Sequence, residues 1–324
     1  MKKLLVLFVL LFAVIWAADI DGIYEFEVRK NLPFLEEGRA ERLDLYLPIG
    51  TKGARAAVVM IHGGSWRGGS KSSPREINIC QNLARLGFVA ASIEYRLVKG
   101  DVPAWPVNLQ DCKNAVKYLR ANAEKYQILP EKIGVIGSSA GGHLAVMLAL
   151  AAKNSPLEPA APYPGVSSEV ACCINMYGPM SLRETQKTPK ASFYKMLGCS
   201  YEGNEEKWKS AVPLEHIANA ACPFLSVHGE ADKVVSVQQA QILHDALTKK
   251  GCTSEILVVP GIGHQFSMEY TKTLEKLPPN VRQVMLSFLE RNLKGYSAEE
   301  AEAHYQALLK AKPLPAPKPK AKAK

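Results

Sequence analysis

The sequence has little that would suit a metal-binding or nucleic-acid-binding protein. Its seven cysteines are not spaced as zinc ligands are, and their odd number leaves at least one outside any internal disulfide. The formal charge is +9, but eight lysines lie in the two ends of the chain, which leaves +1 for the body. A nearly neutral body has no broad basic surface for phosphate contacts, so no nucleic-acid partner is predicted.

The cysteine pattern is also not that of a disulfide-rich scaffold. Several cysteines lie in apolar stretches such as VACCINMY, where buried thiols are the common case. We therefore expect none or one disulfide, and the sequence assigns no pairing. The chain contains no internal repeat, which excludes solenoid and propeller architectures built from repeated units.

The chain lacks an apolar run as long as an ordinary membrane-spanning helix. Residues 1–17 read MKKLLVLFVLLFAVIWA, a charged start followed by an apolar stretch and a small residue. This order is typical of a secretory signal peptide, whereas a spanning helix needs roughly 20 apolar residues. We predict cleavage after Ala17 and a secreted or periplasmic mature protein, with an uncleaved membrane anchor as the alternative. No cysteine follows the run, so no lipoprotein anchor is predicted.

The other end of the chain has few apolar side chains. Residues 311–324, AKPLPAPKPKAKAK, consist mainly of proline, alanine and lysine. Such a segment cannot bury apolar surface, so we expect a disordered tail. A solubilising role is the simpler interpretation, and electrostatic contact with an anionic envelope surface is the alternative.

Between these ends, strand-like and helix-like stretches alternate. Short apolar runs such as RAAVVMIHG, KIGVIG and PFLSVHG predict buried strands. The stretch SPREINICQNLARLG predicts a helix capped by Ser73, with Pro74 as its first residue and Gly87 at its end. The stretch VNLQDCKNAVKYLRANAEKY predicts one long helix, because its apolar residues recur at helical spacing.

This alternation predicts an α/β fold class with one main domain. Strands joined by helices imply right-handed crossovers and a mostly parallel central sheet with helices on both faces. We place this domain at residues 19–295 and a C-terminal helix at residues 296–310. Residues 178–221 are too long for a plain connection and contain Tyr, Phe and Trp, so they predict a short cap-like insertion.

A Gly-x-Ser-x-Gly motif lies where one predicted strand turns directly into a helix. It occupies residues 137–141, with Ser139 at its centre and Ser138 as the preceding residue. Small residues on both sides permit a tight turn that exposes the Ser139 hydroxyl at the end of the sheet. Ser139 is therefore the candidate nucleophile. Considered alone, the motif is equally consistent with an ordinary glycine-rich turn.

A serine nucleophile needs a general base, and that base needs an acid to orient it. Among seven histidines, His264 is the candidate base because PGIGHQF places it in a loop after the last predicted strand. Asp232 in HGEADKVV is the candidate acid, with Glu230 as the alternative. The chain order Ser139, Asp232, His264 differs from the two common serine-protease orders. The histidines expected to pack, to face solvent or, for His216, to line the pocket are His143, His216, His228, His244 and His304.

The remaining part of such a site is a set of donors for an oxyanion. The stretch IHGGSW follows the strand that ends near Ile61, and its glycines let backbone amides approach a substrate. We predict that the amides of Gly63, Gly64 and Ala140 are these donors, each worth about 10²- to 10³-fold in rate. The aromatic residues that are candidates for substrate binding, and equally for packing, are Trp66, Trp105 and Tyr177.

With these residues identified, the sequence resembles α/β-hydrolase carboxylesterases of the hormone-sensitive-lipase-like type over residues 42–294. The motifs that carry the resemblance are HGGSW, YRL, GSSAGGH, YGP, SAVPLEH, HGEADKVV and PGIGHQF. The sequence is most similar to the bacterial branch of feruloyl and acetylxylan esterases. Ser138 stands where the lipase-like branch commonly has an acidic residue, and Ser65 and Trp66 follow the HGG motif.

The resemblance implies an α/β-hydrolase fold and an exported serine carboxylesterase. Its substrates would be short acyl esters, such as acetyl or feruloyl esters of plant polysaccharide, hydrolysed through an acyl-enzyme without a metal or organic cofactor. Two other functions stay open: a peptidase of related fold, and a non-catalytic binding protein.

Overall fold

The structure is a computed structural model that describes residues 22–151, 155–181, 190–264 and 281–311. The predicted signal peptide and residues 312–324 of the predicted tail lie outside these ranges. The strands are β1 (Phe26–Leu32), β2 (Leu43–Pro48), β3 (Arg55–Ile61), β4 (Val89–Ile93), β5 (Ile128–Ser138), β6 (Cys172–Met176), β7 (Phe224–Gly229) and β8 (Ser254–Val259). The α-helices are α1 (Pro74–Arg85), α2 (Val107–Ala121), α3 (Ala123–Tyr126), α4 (Ala140–Leu150), α5 (Lys190–Leu197), α6 (Glu205–Ser210), α7 (Gln238–Lys249), α8 (Val281–Leu289) and α9 (Ala298–Lys310).

The strands form one sheet in the order β1-β2-β4-β3-β5-β6-β7-β8. β2 is antiparallel to both of its neighbours, and the remaining neighbours are parallel. The predicted, mostly parallel sheet is therefore confirmed. Ile61 pairs with Gly137 and Gly229 pairs with Val259 near the carboxyl ends of their strands. The loops that carry the candidate site residues consequently leave the sheet at the same edge.

Helices cover both faces of this sheet because its central strands are apolar on both sides. In β3, Val59 and Ile61 pack into the core that contains residues of α2 and α4. The alternate residues Val58 and Met60 pack into a second core with residues of α1, α8 and α9. This burial on two faces explains why β3 is a continuous apolar run rather than an alternating one.

The predicted long helix is two helices in the structure, which corrects the prediction. α2 ends at Ala121, and α3 starts at Ala123. Between them the Asn122 side chain donates a hydrogen bond to the Tyr118 carbonyl oxygen at 2.9 Å. The Asn122 backbone amide donates to the same oxygen at 3.0 Å, so the break lies in the backbone of Asn122, whose φ of −105° and ψ of 23° are not helical. The apolar spacing alone does not reveal this.

The predicted insertion contains α5, α6 and a 3₁₀ turn at Pro213–Asn219, while residues 182–189 lie outside the described ranges. Its described part is fastened to the main domain. The Trp105 indole donates to Ser210 Oγ at 3.0 Å, and the Ala104 and Trp105 amides both lie 3.1 Å from the Met196 carbonyl oxygen. The described part of the insertion therefore packs against the main domain. Its role as a cap over a substrate stays a prediction.

All seven cysteines fall within the described ranges, and each is a free thiol, five of them buried. Burial raises the pKa of the thiols of Cys80, Cys112 and Cys173 well above the ordinary value. In the described part of the chain, no helix combines the length and the apolar character that a membrane span requires.

Candidate active site

Ser139 sits in a strained turn between β5 and α4. Its φ of 53° and ψ of −118° lie in a region that non-glycine residues rarely adopt. A Cβ atom on Gly137 would lie 2.0 Å from the Gly141 carbonyl oxygen, and one on Gly141 would lie 2.2 Å from that of Ile61. Both positions therefore require glycine. The Ser139 amide donates to the Met176 carbonyl oxygen at 2.8 Å, which fastens the turn to β6.

The structure brings the three candidate catalytic residues into one hydrogen-bonded series. His264 Nε2 lies 3.0 Å from Ser139 Oγ, and His264 Nδ1 lies 2.6 Å from Asp232 Oδ2. The other carboxylate oxygen of Asp232 accepts hydrogen bonds from the amides of Val234 and Val235 at 2.8 and 2.9 Å. Ser139 lies at the end of this series and is a partly exposed residue.

The loops that carry the acid and the histidine are held together by backbone contacts. The Ala231 amide donates to the Ile262 carbonyl oxygen at 2.9 Å. A Cβ atom on Gly229 would lie 2.3 Å from the same oxygen, so the two loops approach too closely for any larger residue there. This contact explains how two residues 32 positions apart in the chain reach hydrogen-bonding distance.

Asp232 is held as a buried carboxylate. Its side chain is fully buried, whereas that of His264 is 9% exposed. Burial alone would raise the pKa of Asp232, but hydrogen bonds from His228, His264 and the Val235 amide outweigh it. These bonds hold the pKa of this carboxyl well below its usual range, so it stays ionised and can stabilise a cationic His264.

His228 is a neighbour of the acid that the sequence did not identify. Its Nε2 lies 3.3 Å from Asp232 Oδ2 and 2.9 Å from the Val235 carbonyl oxygen. The sequence does contain an indication of this contact, because a histidine at the end of β7 stands four residues before an acid in the following turn. Glu230, the alternative acid, instead accepts a hydrogen bond from the Gly261 amide at 3.2 Å.

The ring nitrogens of five other histidines contact groups other than Ser139. For His143 this agrees with the expected packing role, and His216 contacts the backbone of the insertion. The partners are the Gly63 carbonyl for His62, the Ala211 carbonyl for His143, the Ser210 carbonyl for His216, Ser254 Oγ for His244 and Glu290 for His304.

The glycine loop after β3 lies directly against the nucleophile turn. A Cβ atom on Gly63 would lie 2.8 Å from the Ser138 carbonyl oxygen and 3.3 Å from Ser139 Cβ. Gly64 has a φ of 121°, and a Cβ atom there would lie 2.2 Å from the Gly68 carbonyl oxygen. The amides of Gly63, Gly64 and Ala140 have no hydrogen-bond acceptor among the residues that the structure describes. Their use as oxyanion donors stays a prediction.

The three aromatic candidates for substrate binding are packed. Trp66, Trp105 and Tyr177 are 1%, 5% and 0% exposed. The Trp66 ring lies 4.6 Å from the Phe193 ring and 5.2 Å from the His143 ring, centroid to centroid. These ring contacts directly support the packing interpretation for Trp66, and substrate contact stays a prediction for all three residues.

Within the described ranges, no group of three His, Cys, Asp or Glu side chains is arranged to hold a metal ion. The expectation of a reaction without a cofactor stays a prediction.

The chain is similar to two curated esterases of Mycobacterium tuberculosis. It is 28% identical to esterase LipQ over 248 residues, which are 74% of this chain and 58% of LipQ. It is 30% identical to esterase LipC over 218 residues, which are 65% of this chain and 53% of LipC. The chain thus spans little more than half the length of these relatives.

The fold of this chain is similar to that of a solved structure. The bifunctional GH43-CE protein of Bacteroides eggerthii superimposes with a TM-score of 0.71 at 26% identity, covering 82% of this chain and 38% of that protein. Residues 43–247 match the BD-FAE family, and this range includes the nucleophile turn, the glycine loop and Asp232. The predicted α/β-hydrolase fold is confirmed, and the chain belongs to the BD-FAE family of α/β-hydrolase carboxylesterases.

Proposed function

We propose that the chain is a serine carboxylesterase that hydrolyses short acyl esters. The observation that carries the proposal is the hydrogen-bonded series from Asp232 through His264 to a partly exposed Ser139. A buried carboxylate, an imidazole and a hydroxyl in this order form the arrangement that activates serine for acyl transfer. The esterase names of LipQ and LipC support the same reaction class.

In the first half of the proposed reaction, Ser139 Oγ attacks the ester carbonyl carbon while His264 Nε2 accepts the hydroxyl proton. The ionised Asp232 stabilises the resulting imidazolium. The charge that develops on the carbonyl oxygen is stabilised by the amides of Gly63, Gly64 and Ala140 and by the amino-terminal end of α4. His264 then donates its proton to the departing alcohol, which leaves the acyl group on Ser139.

In the second half, water attacks the acyl carbon and gives a proton to His264. The bond to Ser139 Oγ breaks, the carboxylic acid leaves, and His264 returns the proton to the serine. The same three residues therefore serve both halves, and the enzyme is restored.

For the substrate, we propose acetyl or feruloyl esters of plant polysaccharide. The serine at position 138 and the Ser65-Trp66 pair after the HGG motif support this class. The similarity to a bifunctional GH43-CE protein also supports it. The signal-like residues 1–17 support export, which would bring the enzyme to an extracellular polymer.

The test is hydrolysis of p-nitrophenyl esters from acetate to palmitate, together with release of acetate and ferulate from xylan. We expect turnover restricted to short acyl groups, acid release from xylan, and a loss on the order of 10⁶-fold in Ser139→Ala. Ser297→Ala, which removes only the cap of α9, is the matched control and should retain turnover. Absence of turnover on every ester would contradict the proposal and direct the search to peptide substrates or to a binding role.

A further inference from the structure

An ion pair between the partly exposed Arg75 and the fully buried Glu76 lies next to Ser138, the residue before the candidate nucleophile. Arg75 and Glu76 occupy the first turn of α1, and Arg75 donates to Glu76 Oε1 from Nη2 at 2.9 Å and from Nε at 3.1 Å. The same Nη2 donates to Ser138 Oγ at 3.0 Å, and Nη1 donates to the Tyr177 hydroxyl at 2.6 Å. One guanidinium therefore joins α1, the residue before Ser139 and the residue that follows β6.

Tyr177 in turn packs against the candidate base. Its ring centroid lies 4.8 Å from that of His264 at an interplanar angle of 65°. The backbone of Tyr177 has a φ of 45°, and its amide donates to the Val227 carbonyl oxygen at 2.9 Å. Burial raises the pKa of the Tyr177 hydroxyl to about 12, so the side chain is neutral. The neutral Tyr177 ring therefore packs against the His264 imidazole and limits its movement.

We propose that Arg75 and Tyr177 are positioning residues for the esterase reaction proposed above, on which this inference rests. By holding Ser138 and the Tyr177 ring at the same time, Arg75 sets the separation between the Ser139 hydroxyl and His264 Nε2. Tyr177 is fully buried and acts through His264. Displacement of reacting groups by 1 Å can cost about 100-fold in rate. Loss of the Arg75 contacts should therefore lower kcat.

The ion pair explains how a charged group can be placed there. Glu76 is fully buried and compensates the Arg75 charge, and its position in the first turn of α1 is favourable for a carboxylate. Removal of Arg75 alone would leave the buried Glu76 charge unpaired, and removal of Glu76 alone would leave the largely covered Arg75 without its anion, so either change destabilises the fold for reasons unrelated to catalysis. A test must therefore remove both charges together or leave both in place.

Two variants satisfy this condition. Arg75→Met with Glu76→Gln removes both charges, and Tyr177→Phe removes only the hydroxyl that Arg75 holds. The chain offers a matched control in Tyr305→Phe. Tyr305 is buried in α9, accepts a hydrogen bond from Arg282 at 3.3 Å and has that guanidinium carbon 5.3 Å from its ring centroid.

The experiment measures kcat and KM on p-nitrophenyl acetate, unfolding in urea, and the rate at which a p-nitrophenyl phosphonate modifies Ser139. For the double variant we expect kcat and the phosphonylation rate to fall about 10- to 100-fold, while KM stays nearly constant. For Tyr177→Phe we expect a fall of up to about tenfold in the same two rates, the worth of one hydrogen bond. Tyr305→Phe should keep the wild-type kcat.

Folded variants with wild-type kcat would overturn the positioning role while leaving the proposed function standing. An effect confined to KM would also overturn the positioning role. A loss of kcat in Tyr305→Phe equal to that in Tyr177→Phe would overturn it as well. A wild-type protein that neither hydrolyses the ester nor reacts with the phosphonate would overturn the proposed function and this inference together.

Discussion

The proton position on His264 is decided by its neighbours. The Asp232 carboxylate lies 2.6 Å from Nδ1, so Nδ1 carries the proton that donates to it. Nε2 then has a free lone pair, which faces the Ser139 hydroxyl at 3.0 Å. At the scale of single residues, the activity we propose depends on this tautomer more than on the presence of a histidine.

Replacing the acid with its amide tests this dependence. Asp232→Asn favours the wrong tautomer, because the new amide can donate to Nδ1, and we expect kcat to fall by about 10⁴-fold, as in serine proteases. Glu230→Gln makes the same change on an exposed neighbour in the same turn and should keep most of the activity. Steady-state kinetics on p-nitrophenyl acetate measures both. Equal losses in the two variants would contradict the assignment of Asp232.

His143 makes the stability of the fold depend on pH. The residue is fully buried, and burial lowers the pKa of its imidazole to about 4. In the unfolded chain a histidine takes up a proton near pH 6.5, so unfolding binds a proton between about pH 4 and 6.5. The free energy of unfolding therefore decreases as the pH falls through this window.

We expect His143 to account for roughly 2 kcal/mol of lost stability between pH 7 and pH 5. Urea unfolding of the wild type and of His143→Gln at both pH values measures this contribution. The glutamine amide does not titrate and can still donate to the Ala211 carbonyl oxygen, which lies 2.8 Å from His143 Nε2. An identical pH dependence in both proteins would contradict the prediction.

At the scale of elements, the loop over residues 62–69 contains some positions where only glycine fits and others where a larger residue would fit. Gly64 combines a φ of 121° with a Cβ position 2.2 Å from the Gly68 carbonyl oxygen. A Cβ atom on Gly68 would have its nearest neighbour at 3.9 Å, which is an ordinary contact. The two glycines of one loop therefore differ in what they tolerate.

We expect Gly64→Ala to displace the loop and to lower kcat/KM by at least about 10²-fold, the worth of one oxyanion donor. Gly68→Ala should change kcat/KM little, since the added methyl group has room. Kinetics on the short-chain ester, with circular dichroism to confirm folding, distinguishes the two. A fully active Gly64→Ala enzyme would argue against this loop as part of the oxyanion site.

Local sequence predicts the limits of α1 but not the end of α2. α1 starts at Pro74 after Ser73 as predicted, because proline suits the first helical position. The predicted cap is wrong in one respect: the Ser73 hydroxyl makes no capping bond and donates to the Ser70 carbonyl oxygen at 2.9 Å instead. The apolar spacing does not reveal the break at Asn122, where the backbone leaves the helical conformation with a φ of −105° and a ψ of 23°. A single residue with a non-helical backbone conformation leaves no trace in the apolar pattern.

At the scale of the whole molecule, α9 contributes side chains to the hydrophobic core and does not lie only on the surface. It begins with a capping box, in which Ser297 and Glu300 exchange hydrogen bonds between side chain and backbone. Tyr305 and Leu308 are buried in the core beneath the sheet face that α1 and α8 also cover. The predicted C-terminal helix over residues 296–310 is therefore present as α9, and it completes one of the two cores.

Two neighbouring leucines in α9 test this role. Leu308 is 0% exposed and Leu309 is 40% exposed. We expect Leu308→Ala to lower the free energy of unfolding by about 2–5 kcal/mol, because it leaves a cavity. Leu309→Ala should cost within about 0.5 kcal/mol, as surface substitutions usually do. Urea unfolding of the two variants at neutral pH provides the comparison, and equal losses would contradict the packing of α9.

The sequence by itself determined the fold class and the chain order of the candidate triad. Apolar periodicity and glycine placement are local properties, so the α/β alternation and the tight turn at Ser139 are predicted from the sequence alone. Only the tertiary structure decided that Trp66 and Tyr177 are buried, that His228 contacts Asp232, and that Arg75 links Ser138 to Tyr177. These contacts join positions far apart in the chain, and they depend on how strands and helices pack, which no local pattern encodes.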